Sequence, residues 1–93
     1  MIRRLVLDVL KPHEPSLVQF VERLSELDDV TGATGKLVEI EENVRTVRIA
    51  IEGEELDLDV IDAEIADLSG SIHSIDEVAC GDHIVDDPWV TGR

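Results

Sequence analysis

The stretch Ile2-Arg3-Arg4-Leu5-Val6-Leu7-Asp8-Val9-Leu10 decides the fold. Read as a strand, it puts Leu5, Leu7 and Val9 on one face and Arg4, Val6, Asp8 and Leu10 on the other. A strand apolar on both faces is central in its sheet and covered on both sides. Asp8 is the exception, because a carboxylate among aliphatics needs a partner.

The elements that follow are read from periodicity. Lys11-Pro12-His13-Glu14-Pro15-Ser16 forms a loop whose prolines stop the strand. Leu17, Phe20, Val21, Leu24 and Leu27 then recur at helical spacing, which predicts a first helix over Pro15–Asp28. Gln19, Glu22, Arg23 and Glu26 take its wet side. Val30 onward reads as a loop passing into a strand at 36–41, with Val38 and Ile40 inward. Glu42-Asn43 turns the chain into a third strand, Val44–Glu52, with Val47, Ile49 and Ile51 toward the core.

Asp57 can cap a second helix, and Leu56 with Ile61 can staple its entry. Leu58, Ile61, Ile65 and Leu68 form its buried stripe, and Gly70 suits the position past its end. Ser71–Ala79 is a fourth strand of imperfect alternation: Ile72 and Val78 share one face, Ile75 and Ala79 the other. A bulge, or burial on both sides, accounts for that pattern. Residues 82–93 carry no period and read as an acidic tail behind a domain spanning 1–81, pinned by Ile84 and Trp89.

The order βαββαβ predicts an α+β, ferredoxin-like plait. Its antiparallel sheet has the order 4-1-3-2, with both helices on one face. The other face is open and displays Val6, Leu10, Leu37 and Ala50. Exposed aliphatics there point to a second copy of the chain as the covering partner.

Composition narrows the functions. The chain has 93 residues, 22 acids against 8 Lys and Arg, and a formal charge of −14, which disfavours nucleic acid and anionic membranes as partners. Acid excess with only two lysines, Lys11 and Lys36, fits a high-salt cytoplasm. Relieving the self-repulsion is expected to raise the melting temperature by on the order of 10 °C between low and molar salt. A melting temperature flat across that range contradicts the screening argument. The lone Cys80 cannot close an internal disulfide, fits a reducing compartment, and reads as an inert buried thiol. Asp8 interrupts the apolar start, so no secretory signal is read.

The opening Met1–Pro15 run and the later Ile72-His73-Ser74-Ile75-Asp76-Glu77-Val78 resemble the archaeal family called domain of unknown function 211, over Met1 to about Gly81. The resemblance implies a ferredoxin-like fold, an archaeal source and homo-oligomers, rings among them. It also points to divalent-cation binding without supplying a ligand set or a reaction.

Adjacency in the plait assembles one candidate cluster. Strands one and four are antiparallel neighbours, so Asp8 lies near His73 or Ser74, and Arg4 near Asp76 or Glu77. Strands one and three are read as parallel neighbours, with Asp8 in reach of Arg48. Asp8, Arg48 and His73 are the candidate small-ligand residues. Asp8, His73 and Asp76 are the candidate ligands for calcium or magnesium. The plainer reading is an ion-pair network that fixes assembly.

Other matches are weaker. His13 sits in the Pro-rich loop as a helix or neighbour contact. Glu54-Glu55 with Asp57-Leu58-Asp59 lacks the EF-hand spacing. His83 with Asp82, Asp86 and Asp87 reads as a solvated charge run. Gly32, Gly35 and Lys36 do not make a phosphate loop. Missing a nucleophile, a cofactor loop and a closed metal set, the chain is expected to be a non-enzymatic, homo-oligomeric ligand- or cation-binding module. The alternative is a structural scaffold without a ligand.

Overall fold

A computed structural model describes residues 1–86. The expectations for Asp87 and Trp89 lie outside the described residues. The elements are β1 (Ile2–Lys11), α1 (Leu17–Ser25), β2 (Val30–Ile40), β3 (Arg45–Leu56), α2 (Leu58–Asp67) and β4 (Ser71–Cys80). The four strands form one sheet ordered β2-β3-β1-β4, which is 4-1-3-2 read from the opposite edge. This is the expected α+β plait with β1 inside the sheet.

Every neighbouring pair is antiparallel, β1 with β3 included. The expectation that β1 and β3 run parallel is therefore corrected. The crossover through α1 makes β1 and β2 parallel, and the β2–β3 hairpin then reverses β3. Asp8 still faces Arg48, now as its direct cross-strand partner.

Leu5, Leu7 and Val9 of β1 and Val47, Ile49 and Ile51 of β3 make the floor of one core, at most 1% exposed. Phe20 and Leu24 of α1 and Ile61 and Ile65 of α2 close it from the same side. Each helix begins with a side-chain cap. Ser16 Oγ accepts from the Gln19 amide at 3.2 Å while the Gln19 side chain accepts from the Ser16 amide at 3.2 Å, a reciprocal capping box. Asp57 Oδ1 accepts from the Asp59 amide at 3.0 Å, and Leu56 and Ile61 both lie in the core, as the staple requires. At the far end of α2 the left-handed residue is Ser69 (φ 68°), not Gly70. Gly70 follows it, and its amide donates to the Ile65 carbonyl at 2.9 Å.

The strands run longer than the periodicity allows. β2 begins at Val30 because Ala33 and Gly35 let α1 lie directly on it; a Cβ on Gly35 would strike the Val21 side chain. β3 continues past Glu52 because Gly53 pairs with Val30, where a Cβ would overlap the Asp29 carbonyl. Leu37 stands opposite buried Val47, on the helix side rather than the open face. Val38 falls in a register shift, and Val38 and Ile40 are 53% and 59% exposed rather than inward.

Lys11, read as a loop residue, is the last residue of β1 and 1% exposed. Its Nζ donates to the Pro12 carbonyl at 2.8 Å and lies 5.9 Å from the centre of the Phe20 ring. Burial, with the nearby Arg45 charge second, lowers its pKa from the ordinary 10.5. The folded state thus disfavours the charged form. The cost is in force below the lowered folded pKa and disappears as pH rises from that pKa to 10.5. Stability is expected to rise with pH over that window relative to a Lys11→Met variant. Parallel curves for the two proteins in urea melts would contradict it.

Candidate functional site

β1 and its neighbours place a polar band across the open sheet face. Arg48 on β3 is its first centre. Its Nε donates to Asp8 Oδ1 at 3.3 Å, and its second amino nitrogen reaches Asp76 Oδ2 at 3.5 Å. Ser74, the cross-strand partner of Asp8, donates its hydroxyl to Asp76 Oδ1 at 2.7 Å.

Arg4 is the second centre. It donates to Glu52 at 2.9 Å, to Glu77 at 3.1 Å and to Asp86 at 3.4 Å. These carboxylates, Glu52 foremost, raise the Arg4 pKa above its ordinary value, so its charge is fixed. Arg3 binds the chain after β4 to the sheet: Nε donates to the Gly53 carbonyl at 3.2 Å, and Nη1 to the carbonyls of Gly81 and Asp82 at 3.1 and 3.0 Å.

Two bulges in β4 explain which predicted residues meet. Val6 pairs with Glu77 and Leu7 with Ile75, leaving Asp76 as the extra residue; Asp8 pairs with Ser74 and Val9 with Ile72, leaving His73 as the other. Asp8, Arg48 and Asp76 come together, and Arg4 meets Glu77. His73 is exposed and shares no hydrogen bond or ion pair with them. Among the described residues no three His, Cys, Asp or Glu side chains converge to hold a metal ion. Cys80 is exposed, not buried. His13 is exposed and lies 3.9 Å from Glu14.

Two arginines and Lys36 stand on this face against six carboxylates, Asp8, Asp76, Glu52, Glu77, Asp86 and Glu39. The surplus is negative, and both arginines are already engaged by acids, so the band favours a cation over an anion. The pairs are partly solvated: the Arg48 side chain is 51% exposed and that of Asp8 22%. In the single chain each such pair contributes about 0–1 kcal/mol.

The open face is less apolar than its sequence suggests. Val6, Leu10 and Ala50 are half-buried, and Leu37 has left it. The exposed large aliphatics Leu37, Val38, Ile40, Ile75 and Val78 lie on the outer strands. Sequence reasoning missed Glu52 and Asp86 as partners of Arg4, because neither adjacency is visible before the register is known.

This sheet with two helices on one side defines a small α+β plait of split β-α-β units. The chain belongs to the DUF211 family, described as "Uncharacterized ArCR", whose model matches residues 3–91 and so runs beyond Gly81, where the sequence resemblance was drawn to a close. It is similar to the uncharacterised protein MJ0319 of Methanocaldococcus jannaschii, with 43% identity covering 92% of this chain and 89% of that one. Among the described residues no helix is long and apolar enough to cross a membrane.

Proposed function

We propose that the chain is a non-enzymatic, homo-oligomeric module of a high-salt cytoplasm whose open sheet face holds a divalent cation, calcium or magnesium. The observation that carries this reading is the acidic surplus around Arg48 and Arg4, on a face built from half-buried aliphatics. Asp8 and Asp76 supply the oxygens, hard donors suited to either ion.

A scaffold that binds no ligand is the second reading. It is favoured by the way Arg48 already satisfies both Asp8 and Asp76. Titration calorimetry separates the two. Millimolar calcium or magnesium is expected to give a binding isotherm that Asp8→Asn weakens at least tenfold. No heat with either ion supports the scaffold. Arg48→Ala is expected to loosen assembly while shifting the unfolding free energy of the chain by about 1 kcal/mol or less. Unchanged mass in light scattering would remove the band from any interface.

A further inference from the structure

We infer that copies of this chain join edge to edge, β4 of one to β2 of the next, continuing the sheet with all helices on the same side. The inference rests on the homo-oligomer reading and specifies its contact.

Three observations converge. The first is strand direction. β2 and β4 are the outer strands, and since all neighbours alternate, they run opposite to each other. A second copy in the same orientation therefore sets its β2 antiparallel to the first copy's β4, and the alternation passes through the junction unbroken.

The second is the helix side of the two edges. The bulges at His73 and Asp76 re-phase β4, so that Ile72, Ile75 and Val78 all stand opposite Val9, Leu7 and Leu5 on that side. Ile72 packs on the core, while Ile75 and Val78 stay 48% and 54% exposed. Besides gathering Asp76 toward Arg48, the bulges thus leave two aliphatics bare along the outer edge of the sheet. At the β2 edge the same side carries Ala33 and Gly35, opposite Ile51 and Ile49. Beside them a shallow, largely apolar groove of about 360 Å³ runs between α1 and β2, lined by Leu17, Val18, Val21 and Glu22. Val18 is 67% exposed at its lip. Large side chains on one edge thus meet a groove floored by small ones on the other.

The third is charge on the open side. Lys36 of β2 stands there, opposite Arg48, and makes no ion pair among the described residues. Asp76 and Glu77 occupy the open side of β4. The junction brings the Lys36 ammonium of one copy to these carboxylates of its neighbour, beside the Asp8–Arg48–Asp76 cluster.

Such a contact is heterologous: each copy offers two different surfaces. That makes it separable by two variants with solvent-facing substitutions. Ile75→Lys with Val78→Lys blocks the β4 edge. Val18→Glu with Lys36→Glu blocks the β2 edge. Circular dichroism confirms that each still folds. Light scattering is expected to find each variant alone at the mass of one chain. An equimolar mixture is expected to form dimers of twice that mass, because one intact β4 edge and one intact β2 edge remain and no third copy can add. Two folded variants that keep the wild-type assembly mass overturn the edge contact and leave the homo-oligomer reading standing. A mixture that remains at single-chain mass also overturns the edge contact. A wild-type chain that is itself monomeric in molar salt overturns both.

Discussion

Phe20→Ala is expected to cost about 3–5 kcal/mol, a large share of the roughly 5–15 kcal/mol that holds a domain of this size folded. Phe20 is fully buried and, among the described residues, is the one aromatic ring in the core. Its surroundings have little freedom to collapse: the ring tip abuts Gly70, whose backbone donates to Ile65, and the buried Lys11 ammonium lies over the ring. The substitution therefore leaves a cavity and also deprives a desolvated charge of its ring partner. The midpoint of urea unfolding should fall sharply with the slope unchanged. A loss below about 1 kcal/mol would mean that the aliphatic side chains close over the hole, and that the ring does not organise the core.

Gly53→Ala is expected to cost about 3 kcal/mol, unusually much for one added methyl group. The new Cβ would overlap the Asp29 carbonyl and come within 2.7 Å of the Leu56 side chain. Backbone cannot rotate away as a side chain can, so β2 must part from β3 where Val30 pairs with Gly53. Amide exchange is expected to accelerate at Val30 and at its neighbours on both strands before it does on β1. A wild-type exchange pattern in a stable variant would contradict the close approach.

The fold was legible because its central strand announces itself. Leu5, Leu7 and Val9 alternate with Arg4, Val6 and Asp8, and the α1 and α2 stripes repeat at helical spacing; all of them found their places. The first half of β2 was illegible for a physical reason. Thr31-Gly32-Ala33-Thr34-Gly35 has no apolar alternation, because its small residues serve to let α1 approach. Lys11 misled because a lysine beside proline reads as solvent-facing, and only the Phe20 ring and the Pro12 carbonyl make its burial tolerable.

The candidate site was half legible. Adjacency of strands brought Asp8, Arg48 and Asp76 together on paper and in the fold. The wrong relative direction of β1 and β3 did no harm, since Asp8 and Arg48 sit near the middle of both strands. His73 failed because alternation cannot place bulges. Two extra residues in β4 shift every later side chain, exposing His73 with no side-chain partner among the described residues and gathering Ile72, Ile75 and Val78 on one side. The same bulges undo the sequence expectation that Ile75 and Val78 face opposite ways. The aliphatics that need a cover thereby move from the open face to the sheet's edges.

Native mass spectrometry of the intact chain, with and without a chelator, tests the central claim most directly. The account predicts an integral multiple of the chain mass, carrying bound calcium or magnesium that the chelator strips away. A single-chain mass, identical in both spectra, would contradict it.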